Sequence, residues 1–207
     1  MLNTYWSSII IIAPVLILFF LSFLDTGNVF SINTLQTDQL IKSKDNYLTY
    51  QNDTYSFKID YPSTWMVAEN NPNLILRVKD GVVNFFSPPE DYSDTTSENL
   101  NIVVSKLDDN EPMSLDGLPE KLTPYFKEIF RINGPLTSQD ISLDGNPAKK
   151  IVFSYELFGR TVENTQIYSM KLGNVYVINY ICESSVCPTY FPIFEKMINS
   201  FRFTLWK

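Results

Sequence analysis

Regularly placed turn residues constrain this chain more than any other feature. Asp144-Gly145, Gly159 and Gly173-Asn174 divide its C-terminal part into four extended runs. Gly, Asn and Asp reach the positive φ of a tight hairpin at little cost, so runs punctuated in this way are expected to be antiparallel neighbours in a meander. In "KIVFSYEL" the residues Ile151, Phe153, Tyr155 and Leu157 share one face. "VYVINYIC" is apolar on both faces, which predicts a central strand covered from both sides.

The same alternation occurs upstream. In "YSFKIDYPSTW", Tyr55, Phe57, Ile59 and Tyr61 alternate with Ser56, Lys58 and Asp60, and Pro62 ends the strand. "LILRVK" and "VVNFFSP" flank Asp80-Gly81 and read as a hairpin, and "LNIVVSKL" as a further strand. Two segments have helical period instead. In "LDGLPEKLTPYFKEIF", Leu115, Leu118, Leu122, Phe126 and Ile129 recur at three and four residues, and Pro119 and Pro124 imply a late start or a kink. After Pro188, Thr189 is placed to cap a second helix whose apolar stripe is Phe191, Phe194, Ile198 and Phe201. An antiparallel sheet with helices packed on it is an α+β architecture.

Ahead of this body, Ile9 to Leu24 is continuously apolar, and Tyr5 and Trp6 lengthen it to about 20 residues, enough to cross a bilayer. The reading is an uncleaved transmembrane anchor over 1–24, with Tyr5 and Trp6 at the headgroup level. No basic start and no small-x-small site before Asp25 mark it as a cleaved signal peptide. Residues 25–46 are rich in Ser, Thr, Asn, Gln and Asp and read as a linker, which leaves 47–207 as one domain. No basic cluster follows Leu24, so the domain is expected outside the cytoplasm, with the chain a single-pass protein of the cell membrane. The acceptor pattern Asn52-Asp53-Thr54 fits that side.

The formal net charge is −7 and there is no basic stripe, which argues against nucleic acid as a partner. The chain contains no histidine. That removes the usual general base, the Ser-His and Cys-His couples and the commonest nitrogen ligand for metals. Gly-x-Ser-x-Gly, Walker and Rossmann patterns are also absent.

The order "YQNDTYSFKIDYPSTWMV", "VVNFFSP", a helix-bearing middle, "GNPAKKIVFSY", "TQIYSMKLGNVYVINY" and "FPIFEKMINSFRF" resembles the Mog1/PsbP family, in particular archaeal, membrane-anchored PsbP-like proteins. The likeness runs from about Tyr47 to Leu205. It rests on Tyr61-Pro62-x-x-Trp65, the Gly145-x-x-Ala148 turn and the Ser200-Phe201 helix exit. It implies an α/β/α sandwich around an antiparallel sheet. Plant members are extrinsic subunits of photosystem II that help retain calcium and chloride, and Mog1 proteins bind a small GTPase. The plant proteins dock through histidines and basic N-terminal segments, and this chain has neither.

By pattern and resemblance, Cys182 ends the last meander strand and Cys187 precedes the C-terminal helix. A metal site would need further soft or nitrogen ligands, and a redox pair usually has closer Cys-x-x-Cys spacing. A disulfide closing a short loop is the expectation, with two buried free thiols as the alternative. Asp108, Asp109 and Glu111, with Asp116 nearby, are the candidate calcium ligands, although they lack the spacing and Gly turn of an EF-hand loop. The loop Ser87 to Asn99, which holds Tyr92, is a candidate recognition loop. Trp65 and Trp206 read as packing residues. No cofactor is expected beyond that possible calcium, and no catalytic residue is identified. The chain reads as a non-catalytic, membrane-anchored, extracytoplasmic binding or assembly module. Its expected partners are membrane lipid, through the N-terminal helix, and a membrane or envelope protein. A calcium or small-ligand binder and a carboxylate-based hydrolase are the alternatives.

Overall fold

A computed structural model of the chain describes residues 46–69, 81–90, 97–107, 114–132 and 134–204. The expected anchor with Tyr5, Trp6, Ile9 and Leu24 lies outside the described residues, as do Asp108, Asp109, Glu111, Tyr92 and Trp206. Among the described residues no helix is long and apolar enough to cross a membrane.

Among the described residues, two helices pack on antiparallel sheets. Strands β1 (Tyr47–Asn52) and β2 (Phe57–Pro62) form a hairpin, and the short β10 (Arg202–Phe203) adds to the free side of β2. The larger sheet contains β3 (Met66–Glu69), β4 (Gly81–Phe86), β5 (Asn99–Lys106), β6 (Thr137–Leu143), β7 (Asn146–Leu157), β8 (Arg160–Lys171) and β9 (Asn174–Glu183), in the order β3-β4-β5-β9-β8-β7-β6. The meander β6 to β9 is therefore present, and β9 is central with Val175 to Cys182 all buried. Each of its hairpin tips has two successive residues of positive φ, such as Asp144 (48°) and Gly145 (74°). This is the turn whose twist matches that of the strands it joins. Phe158 and Leu172 hold the first such position in the other two tips and point into solvent.

β5 lies beside β9, and the chain between β5 and the edge strand β6 carries helix α1 (Leu118–Phe130). Leu118, Leu122, Phe126 and Phe130 are its buried row, stacked on Phe153 and Tyr155 of β7. Ile129 is only half-buried. Pro119 sits in the first turn, where no N–H is lost to the helix. Around the internal Pro124, the Thr123 hydroxyl donates to the Pro119 carbonyl at 2.6 Å.

The opposite face of the sheet carries α2 (Cys187–Ser200). Alternation puts Leu100, Ile102, Ile178 and Tyr180 on that side, with Val103, Val177 and Ile181 on the side of α1. α2 is wedged between the two sheets and delivers the chain to β10. Phe57 of β2 stacks on Phe201 at 5.6 Å and meets Tyr176 of β9 edge-on.

Two expectations are corrected here. The buried side of α2 is Cys187, Tyr190, Phe194 and Met197, while Phe191 and Ile198 are half-buried, because the helix faces two sheets and its apolar surface is wider than one stripe. Thr189 lies inside the first turn and Val186 holds the cap position without a side-chain hydrogen bond. Likewise, β4 is flanked by β5 and by Met66–Glu69, which follow Trp65 directly. The proposed strand 74–79 lies outside the described residues.

Candidate functional site

At the end of the sheet where β9 runs into α2, Cys182 and Cys187 form a disulfide with Cα atoms 5.4 Å apart. Both are buried. The five-residue separation allows this because the chain turns between strand and helix, with Val186 N–H donating to the Glu183 carbonyl at 3.0 Å. Glu183 is fixed in that turn by Ser185 at 2.8 Å and Arg160 at 2.6 Å. These two bonds hold its carboxyl below the usual range.

Glu163 faces Cys182 across β8 and β9, and its carboxylate with the two sulfurs is a close grouping of metal-type donors. The sulfurs are bonded to each other, and one carboxylate alone does not make a metal site. Beside it, the base of the loop 87–98 is closed by two bonds. Ser87 N–H donates to the Glu98 carbonyl at 2.8 Å and the Ser87 hydroxyl to its carboxylate at 3.1 Å. Glu98 is 2% exposed. Tyr180 and Tyr190 lie against this carboxylate, Tyr180 stacked on Phe194 at 4.2 Å and Tyr190 packed on Trp65. Burial, reinforced by Glu98, pushes both phenols far above their ordinary value. They stay protonated at neutral pH, without the proton-accepting character a base needs.

On the opposite face of the sheet the structure brings together residues that the sequence analysis left unremarked. Asn84 of β4, Asn101 of β5, Asn179 of β9 and Gln166 of β8 are consecutive register partners, so their side chains form one row across four strands. Asn99 and Asn164 stand two residues further along on the same face. All six are buried, at 0–7% exposure. The signal in the sequence was carboxamides at positions that strand alternation turns inward, in "NLNIVV", "TVENTQIY" and "VYVINYIC".

The remaining expected residues are dispersed. Trp65 is core, packed on Tyr190 at 6.3 Å. Asn52, in the glycosylation pattern, is held at the β1–β2 turn. Its amide donates to the Tyr50 hydroxyl at 3.1 Å, and its oxygen accepts from the Tyr55 N–H at 2.9 Å. Asp116 is exposed before α1.

No family model matches the sequence. No curated protein matches it. Solved structures match in fold. The solution structure of cyanobacterial PsbP (CyanoP) from Synechocystis sp. PCC 6803 aligns with a TM-score of 0.56 at 11% identity, over 86% of this chain and 99% of its own. The Saccharomyces cerevisiae Ran-binding protein Mog1p aligns with a TM-score of 0.50 at 10% identity, over 76% of this chain and 95% of its own.

The chain has the Mog1/PsbP fold.

LpqN of Mycobacterium tuberculosis, described as involved in cell envelope biogenesis, is also similar, with a TM-score of 0.49 at 16% identity over 86% of this chain and 100% of its own. At such identities a shared Mog1/PsbP fold carries no partner or ligand from one protein to another.

Proposed function

We propose that this chain is a non-catalytic binding or assembly module, tethered to the outer face of a membrane by its apolar N-terminal run and working through contacts of its Mog1/PsbP-fold domain. The observation that supports this is the state of its reactive side chains. The sequence has no imidazole, and both sulfurs are sealed in the Cys182–Cys187 disulfide. The phenols of Tyr180 and Tyr190 are held protonated. A buried disulfide is at home in an oxidising compartment, which supports the extracytoplasmic side. CyanoP and the Ran-binding Mog1p, which share the fold, are not named for a reaction.

The test is crosslinking of the tagged full chain in native membranes, followed by mass spectrometry. A membrane or envelope protein recovered in stoichiometric amount is the expected result. Recovery of the chain alone, from membranes in which a known complex is crosslinked efficiently, would remove the proposal.

A further inference from the structure

The carboxamide row is unusual in what it leaves unmade. Among the described residues, the side-chain oxygens of Asn84, Asn99, Asn101 and Asn179 have no hydrogen-bond partner, and neither do the nitrogens of Gln166 and Asn179. A buried polar atom without a partner costs roughly 1–3 kcal/mol, and native proteins keep few of them. Here most of them lie on one face, in two adjacent rows of β4, β5, β9 and β8, while the Thr165 and Tyr180 hydroxyls lie on the other. Apolar residues of similar shape would relieve the cost. Retaining carboxamides at these positions points to an occupant that pairs with them.

We infer that this face is a binding site for a short neutral oligosaccharide, a ligand class that rests on and sharpens the binding reading above. The first reason is charge. The six side chains of the two rows are all carboxamides, so the rows themselves offer hydrogen bonds without a charge to attract a phosphate, a carboxylate or an amine. The second is pairing chemistry. Asn179 has both a free acceptor and a free donor. A carboxamide of that kind pairs with a vicinal diol, accepting from one hydroxyl and donating to the next. The third is shape. The row spans four strands, about 14 Å at normal strand spacing, which suits two or three pyranose rings laid across the sheet. Phe86 and Ile181, opposite Asn99 in the next row, and Tyr168, whose hydroxyl donates to Gln166, supply apolar surface and a rigid border. An extended peptide would bring side chains that need pockets, and a platform of near-equal carboxamides provides none. Because the face is enclosed, association requires opening and should be slow.

The test is isothermal titration of the full chain in detergent micelles with maltotriose, cellotriose and chitotriose, with a uronic-acid trisaccharide as the charged comparison. Saturable binding of at least one neutral sugar, and not of the charged one, is expected. In the double variant N101L/N179L affinity should fall about tenfold, the loss of two or more hydrogen bonds, while Tm stays at or above the wild-type value because buried unpartnered atoms are removed. Should the double variant misfold, N101L and N179L alone should each weaken binding by about threefold. No binding of any neutral sugar at millimolar concentration, or binding only of a neutral peptide, overturns the inference. Capture of a membrane partner by N101L/N179L at the wild-type level alongside blank sugar titrations would remove this site and leave the proposed function standing. Sugar binding without any partner would do the reverse.

Discussion

The hydroxyl of Tyr176, on the central strand β9, donates to the backbone carbonyl of Tyr55 at 2.8 Å, a bond between residues 121 positions apart that ties the small sheet to the large one. Tyr55 lies in the turn between β1 and β2, so this bond and the aromatic group of Phe57, Phe201 and Phe203 fix how the two sheets meet. Removing the oxygen in Tyr176→Phe leaves a partly buried carbonyl unpaired while keeping the ring. The expected loss is about 1 kcal/mol, read as a lower urea midpoint with unchanged slope. A variant as stable as wild type would show that water replaces the bond.

The disulfide should be structural. Closing so short a loop contributes roughly 2 kcal/mol through the unfolded chain. The double variant C182S/C187S should therefore fold, with a lowered Tm, and excess reductant should bring wild type to a similar value. An equal Tm with and without reductant, with the thiols shown by alkylation to have been freed, would contradict this.

The two neighbouring positions on α2 separate the face the helix uses from the one the sequence suggested. Met197 is fully buried and Ile198 only partly. Met197→Ala is expected to cost about 2–5 kcal/mol, as for other core truncations, and Ile198→Ala clearly less. Chemical denaturation of the two variants side by side decides it, and the reverse order would mean that the helix is rotated.

Glu183 supplies a pH signature. Its carboxyl is held below the ordinary 4.5 by the Ser185 and Arg160 bonds. A lowered folded pKa stabilises the fold above the unfolded value, and that stability is lost as the pH falls through the folded pKa. The pair is partly exposed, so its worth is small, about 0.5 kcal/mol. Arg160→Gln should lower Tm at neutral pH, and the gap to wild type should close as the pH falls below about 4.5. A gap that persists or widens in acid would assign the effect to packing.

Local chemistry made much of this fold readable in advance. Alternation in Ile151, Phe153, Tyr155 and Leu157, the doubly apolar run before Cys182, and Gly145, Gly159 and Gly173 at the turns fixed the meander, since strand pleat and hairpin φ are properties of adjacent residues. The closeness of Cys182 and Cys187 was legible for the same reason, lying within one strand–helix turn. The pairing of β5 with β9, the rotation of α2 toward Met197 and the capture of β4 by Met66–Glu69 were not, because each is settled by partners distant in sequence. The carboxamide row belongs to this second group. Asn84, Asn101, Asn179 and Gln166 are each unremarkable in their own strands, and they meet only when four strands are laid in register and a single face is closed over them.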